Sequence, residues 1–427
     1  MTQDAQRRVV AVVAGIGLVL QLTAGALPTV EAQPAYEAEP VLKAADLVPA
    51  TLLRGPRHRV DEAVPTKGFL AHFTIHSDFG QLQVAGRDLL AVRVAEIGAL
   101  EVLERQSESD EFVRAAAGAA KRPIEAAANI ITRPVETVQG IPEGVSRLFG
   151  RVRMGAASLR KAAGQSDVST AERTQEVAER VGGITATALG YERERRRIAK
   201  QLGVDPYTTN PLLAARLDDV AWVAFSGRVG LNLLVAVVVP FSMVLSATSI
   251  TDNLVWDMPP ADLIRLNGEK LAALGASEAQ VRALIKNRWY SLTVLTALVT
   301  GLEGLAGVAG RPEVVTLAVT ATTEEQARFV AHSVGMLLQH HMGVKPLASL
   351  AAPGPVVGRT RDGALVVPAP LDYVAWTERA AQFARRTDLA AKERGIWLTG
   401  ELSPHTRREL AAAGWAIYPA SLEPAKP

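Results

Sequence analysis

Cysteine is missing from all 427 residues. That excludes disulfides, thiol nucleophiles and thiolate-bound metals, and an oxidising compartment would leave the chain unharmed. An excess of one charge is missing too: 46 basic and 44 acidic side chains leave a formal charge of +2, too balanced for a nucleic-acid partner held by counterion release. Strong catalytic signatures are lacking as well. The chain has no Gly-x-Ser-x-Gly elbow, His-Glu-x-x-His helix, Gly-x-x-x-x-Gly-Lys phosphate loop or Gly-x-Gly-x-x-Gly fingerprint, so no cofactor and no metal is implied.

The remainder is ordinary globular material. Hydrophobic residues make up 48% and charged residues 21%, enough apolar content to fold and to fill two or three domains. Arg7 and Arg8 precede the unbroken apolar run Val9–Leu20, which has the length of a secretory signal's hydrophobic region and is short for a membrane span. Small or aliphatic residues at Val30-Glu31-Ala32 place the expected cleavage after Ala32. The reading is therefore a signal peptide over 1–32, with export to the periplasm or to the periplasmic face of the inner membrane.

Residues 33–66, rich in Pro, Ala and Glu, read as an extended lead with order beginning near Lys67. Gly68–Ala85 alternates as a β-hairpin, with Phe73 and Ile75 on one face and His72, Thr74 and His76 on the other, reversing at Ser77-Asp78-Phe79-Gly80. Helical periods follow, and 67–165 reads as hairpin plus amphipathic helices. In Glu143–Lys161 an apolar stripe lies against Arg147, Arg151, Arg153, Arg160 and Lys161, a face suited to an anionic membrane surface or to packing at home. A linker is expected over 166–190. The mixed charges of Tyr191–Leu202 read as a solvated helical face.

A helical core is expected over 191–352. Val229–Ile250 has 22 residues without an ionisable side chain, and Trp289–Gly310 is apolar apart from Glu303. The pair reads either as core helices or as a membrane hairpin. Within the second, Gly301, Gly304, Gly307 and Gly310 recur every third residue, either for close packing or to end a helix. Ser277–Gln280 and Thr323–Gln326 each carry capping-box residues. Residues 353–427 read as a small α/β unit. It holds a hairpin about Arg361-Asp362-Gly363, an amphipathic helix over Tyr373–Arg386, a strand at Gly395–Thr399, a helix capped by Ser403 with Pro404 first, and a last strand at Trp415–Tyr418. The expected fold class is thus mainly α, multi-helical, with an N-terminal β-hairpin and a small C-terminal α/β unit.

Candidate ligand residues come from two polar loops: Asp205, Tyr207 and Asn210 in one, Asp252, Trp256 and Asp257 in the other, where carboxylates sit beside an aromatic. Proline, aspartate and asparagine are also plain loop chemistry. His332, His340 and His341 share one expected helix; the first two lie about 12 Å apart along it, too far to ligate one metal.

Phe73–Gly80, the run Arg133-Pro134-Val135-Glu136-Thr137-Val138-Gln139-Gly140-Ile141-Pro142, the Asp205–Pro211 loop, and Leu398–Pro404 before Gly414-Trp415 together resemble a group of exported proteobacterial proteins. The similarity runs over most of the mature chain. It implies secretion and a shared multi-part fold, and no catalytic residue carries over from it. The functional expectation is a binding or scaffolding protein of the periplasm or envelope, its partner an anionic membrane surface or another envelope protein. The alternatives are an envelope hydrolase built from the 205–210 and 252–262 loops, and an integral membrane protein using 229–250 and 289–310.

Overall fold

The computed structural model describes residues 36–107, 190–225 and 249–420. The chain divides into the units Met1–Glu37 and Ala38–Pro427, and every element below belongs to the second. Its described residues form three sheets, of six, five and two strands, together with the helices. This mixed α/β fold corrects the mainly helical expectation.

Much of the difference lies in the stretch read as an extended lead. Residues 41–67 supply β1 (Val41–Lys43), β2 (Arg54–Gly55), β3 (His58–Val60) and β4 (Ala63–Lys67), with the single helical turns Ala44–Leu47 and Ala50–Leu53 between them. These strands are two to five residues long, too short for a periodic signal to stand out, and prolines break the run. β4 does alternate, burying Val64 and Thr66. The expected hairpin is present as β5 (Leu70–Ser77) and β6 (Gly80–Ala85), closing at Ser77 opposite Gly80. It is the spine of the sheet: β6 pairs along β5, while β4 and β3 pair with the beginning and end of β5. Phe73 and Ile75 are fully buried.

The polypeptide leaves β6 through Gly86 and enters α1 (Arg87–Ser107). The second half of α1 packs with α2, the helix over 190–202, and α3 (Pro211–Phe225) around Leu103, Ile198 and Leu217. The face of α2 expected to be solvated is partly interior, for Tyr191, Glu192 and Arg196 are buried; a charge count cannot distinguish charges in water from charges paired inside. A larger core joins the six-stranded sheet and the first half of α1 to α4 (Ser249–Asp257), α5 (Pro260–Ala273), α6 (Glu278–Lys286), α7 (Leu292–Gly304), α8 (Arg311–Val319) and α9 (Glu324–Gly343).

The apolar segment Trp289–Gly310 contains α7, a 13-residue helix buried against α4, α5 and α9. Among the described residues no helix is long and apolar enough to cross a membrane. The other apolar segment, Val229–Ile250, lies outside the described residues except for its last two, and so does all of Glu143–Lys161 with Arg147, Arg151, Arg153, Arg160 and Lys161. The glycine series has two roles. Cβ atoms at Gly301 and Gly304 would press on Val334 at 2.8 Å and Leu338 at 3.0 Å, so these positions let α7 approach α9. Gly310 instead turns the chain at φ +80°, where a Cβ would lie 2.0 Å from the Leu350 carbonyl oxygen.

The five-stranded sheet runs β13 (Ala416–Pro419), β11 (Arg394–Leu398), β9 (Leu365–Ala369), β8 (Val357–Thr360), β7 (Leu347–Ala351). β9, β11 and β13 are parallel, linked through α10 (Glu378–Ala384) and α11 (Pro404–Ala412). β9 is buried along its whole length: Val366 belongs to the large core, and Leu365, Val367 and Ala369 to a third cluster with Trp376 and Trp415. Such two-sided burial is the habit of parallel strands covered by helices. Where one helix was expected over Tyr373–Arg386, the chain first makes β10 (Tyr373–Val374), which pairs with β12 (Glu401–Leu402). Ser277 and Gln280 form the full capping box. Thr323 accepts from the Gln326 amide, while the Gln326 side chain accepts from Thr322 N–H instead of closing a box.

Gly310→Ala is expected to lower stability by at least about 2 kcal/mol, since it combines a left-handed backbone with a clash against main chain that cannot swing away. Gly307→Ala, at φ +81° with nothing within 4 Å, should cost only about 1 kcal/mol. Denaturant midpoints of the two variants measure the difference.

Candidate functional site

α1 is amphipathic in an unusual sense, since its interior side carries charge. Buried among its leucines and valines are Arg93 and Glu96, and Arg87 and Asp88 open its first turn. Each ion meets a partner from far along the chain. Arg93 Nη1 donates to Glu96 at 2.9 Å, and Nη2 donates to Glu324 at 2.9 Å and to Thr209 Oγ1 at 2.8 Å. Glu96, 1% exposed, also accepts from the Thr208 hydroxyl and from Asn210 Nδ2 at 3.0 Å. Burial works against the guanidinium charge, yet Glu96 and Glu324 outweigh it and raise the Arg93 pKa.

Asp205 continues this network without a cation in hydrogen-bond reach. Its Oδ1 accepts from Thr293 Oγ1 at 2.5 Å and from Tyr207 N–H at 2.8 Å, and Oδ2 accepts from Ser291 Oγ at 3.4 Å. Burial pushes its carboxyl up to about 6 despite those donors, with Glu96 adding to the rise. Burial likewise lifts the Tyr207 phenol to about 12. Asn210 caps α3 through Oδ1, accepting from Leu212 N–H at 3.1 Å. The 205–210 loop, read as a pocket lining, is thus a buried joint between α1, α3, α7 and α9.

The second expected loop does not join it. Asp252, Trp256 and Asp257 all belong to α4. The side chain of Asp252 lies outside the described set, Asp257 is exposed, and the Trp256 carbonyl accepts from Arg196 Nε at 3.1 Å. The polar sequence here is helix and helix end, and Asp262 lies in the first turn of α5, where an acid complements the helix dipole.

A second cluster lies one turn toward the start of α1, and only half of it was marked in the sequence. Asp88 Oδ2 accepts from Arg328 Nε at 2.9 Å and lies 2.9 Å from His332 Nε2. Burial would raise the Asp88 carboxyl, but Arg328 and His332 overcome it and hold it far below the usual carboxylate range. With Asp88 ionised, Nε2 is the donor. His332 is 3% exposed, and its Nδ1 has no hydrogen-bond partner among the described residues. A small, partly open cleft begins here, with about 20 Å³ of free volume, room for about one water. Its polar floor is Asp88, Arg328, His332 and Glu325, and its apolar walls are Leu70, Ala85, Phe329 and Pro370. The spacing Glu325, Arg328, His332 puts all three on one face of α9, a signal visible in the sequence once the helix is known. Asp88 carried no signal of its own.

Three other histidines meet neighbouring groups of the fold. His340 stands edge-on to Trp397 at 4.6 Å, and burial lowers its pKa. His341 Nδ1 accepts from Leu347 N–H at 2.9 Å, and His76 pairs with Asp61 across the sheet at 2.9 Å. Among the described residues no three His, Cys, Asp or Glu side chains are placed to hold a metal.

The signs of these shifts lead to measurable consequences. Because the Asp205 pKa is raised above its unfolded value of 3.8, the charged group is a burden that is fully present above about 6 and relieved as pH falls toward 4. Asparagine keeps the acceptor without the charge. Asp205→Asn should therefore gain stability over wild type at pH 8, by about 3 kcal/mol at most, and the gain should vanish near pH 4; urea midpoints across that range read it. Arg93→Met strands Glu96 and Glu324 together and should lose about 3–5 kcal/mol by the same assay.

Comparison with family models, curated proteins and solved structures found no match for this chain.

Proposed function

We propose that this is an exported protein of the periplasm or the periplasmic face of the inner membrane that acts by binding a partner. The observation that carries the binding half is how the interior acids and bases are engaged. Asp88, Glu96 and Glu324 each contact Arg328 or Arg93, the Asp205 carboxylate is filled by hydroxyl and amide donors, and Asp257 lies exposed on another helix. Of the residues of the hydrolase alternative, Asp205 and Asn210 are engaged by neighbouring groups and Asp257 lies apart from them. Beside His332 lies a small cleft with room for about one water.

Support for export comes from the arginine pair, the apolar run and the small residues before Gln33. The basic stripe Arg147–Lys161 keeps an anionic membrane surface as one partner and an envelope protein as the other.

Fractionation of the native host, an alkaline carbonate wash and N-terminal sequencing test this reading. The expected product begins near Gln33 and leaves the membrane in the wash. A full-length chain in the cytosolic fraction would refute export, and a wash-resistant chain would instead favour spans at 229–250.

A further inference from the structure

The loop between α2 and α3 crosses from one apolar cluster to another. Val204 packs with Ile198 and Leu217 in the smaller cluster, while Tyr207 lies against the larger one that contains α7. Asp205 stands at the crossing, 7% exposed. It ties the loop to the start of α7 through Thr293 Oγ1 at 2.5 Å and Ser291 Oγ at 3.4 Å, and it holds the loop's own Tyr207 N–H at 2.8 Å.

The charges that face Asp205 do not balance. Arg93 and Glu96 come from α1, Glu324 stands behind Arg93 at the start of α9, and Arg195 comes from α2; the start of α7 offers only hydroxyls. Arg93 is taken up by Glu96 and Glu324. Arg195 donates through Nε to Asp218 at 2.6 Å and through Nη1 to the Pro206 carbonyl. Three carboxylates therefore share the Arg93 guanidinium, and Asp205 is the one that does not touch it.

Its two oxygens are also unequally held. Oδ1 receives both Thr293 and the Tyr207 N–H, whereas Oδ2 meets the Ser291 hydroxyl at 3.4 Å, beyond the ordinary O–H···O range of about 2.5–3.0 Å. A proton on Oδ2 removes the surplus negative charge and turns that oxygen into a donor toward Ser291 Oγ. Burial and the Glu96 charge both act in this direction and push the Asp205 carboxyl up to about 6.

We propose that Asp205 is a proton-operated latch: protonated, it holds the 205–210 loop against α7, and loss of the proton lets the loop open while both apolar clusters stay packed. This goes beyond the binding reading and does not depend on it. The sign follows from linkage. Once the loop is open the carboxyl returns to its ordinary, lower pKa, so opening grows as pH rises through the acidic range and levels off above about 7.

Hydrogen exchange by mass spectrometry on the purified full chain, corrected for the intrinsic pH dependence of exchange, tests the latch. The reporters are the amides of Tyr207, Thr208 and Asn210, which are bonded within the loop. Their opening should be at least about ten-fold greater at pH 7 than at pH 4.5, and at pH 7 they should be less protected than β5 and β6, as a local opening requires. Asp205→Asn should remove the loop's pH dependence. Thr293→Val, which keeps the carboxylate and takes away a donor, should raise opening more at pH 7 than at pH 4.5. Loop protection equal at the two pH values would overturn the proposal, and so would protection equal to that of β5 and β6 at pH 7, since the loop would then open only with the whole molecule. A pH dependence that survives in Asp205→Asn would also overturn it and pass the role to Glu192 on α2, whose carboxyl burial raises as well.

Discussion

A helix that carries charge into a protein interior folds only where its counter-charges are brought to meet it, and α1 is that helix here. Leaving one buried ion unpaired costs several kcal/mol, a large part of a typical net stability. Arg87 meets Asp372, Asp88 meets Arg328, and Arg93 meets Glu324, partners 231 to 285 residues away in sequence. These contacts restrict how α9 and the C-terminal sheet can sit on the N-terminal sheet, because any slip along α1 would break several of them at once. Apolar packing drives the association. The ions select which of the apolar packings is occupied.

Asp372 extends the same constraint to the far end of the chain. Its Oδ2 accepts from Ala71 N–H in β5 at 2.8 Å, and its Oδ1 accepts from Arg87 Nε at 3.0 Å, while its own N–H donates to the Phe69 carbonyl. One carboxylate thereby satisfies a strand amide and a helix start on the N-terminal side from a loop after β9. Burial raises its pKa in spite of the Ala71 hydrogen bond and the Arg87 charge. Gly400 is shaped by the same junction, since a Cβ there would fall 2.1 Å from the Asp372 carbonyl.

What could be read in the sequence was local. The β5–β6 hairpin, the Ser277 and Ser403 caps, the β8–β9 hairpin and the last two strands of the five-stranded sheet all follow from turn residues and short-range periodicity. What could not be read was pairing at a distance. The four short strands over 41–67 have little alternation to offer and are strands because β5 pairs with β3 and β4, which in turn pair with β2 and β1. Arg196 looks like one of five basic residues on a solvated helix, and it is buried at 4% exposure because the Trp256 carbonyl is there to receive it. Asp205 and Asn210 were recognisable as notable, but the partners that place them in an interior joint, Glu96 and Thr293, carry no motif. The sequence separated His332 from His340 on their shared helix but gave no sign that His332 meets Asp88 on α1, beside Arg328 four residues earlier.

Two aspartates on the same structural seam, Asp88 partly buried and Asp205 buried, show how differently one side chain can be treated. Asp88 faces a guanidinium and an imidazole and is held ionised; Asp205 faces hydroxyls and an amide and is pushed toward neutrality. The desolvation is similar, so the difference is the presence of a cation within hydrogen-bond reach. An aspartate held in its charged form accepts from His332 Nε2 and so fixes the orientation of the ring. The hydroxyls around Asp205 close their network on themselves. The ion pair at Asp88 holds one face of the His332 ring and leaves Nδ1 enclosed, with no hydrogen-bond partner among the described residues.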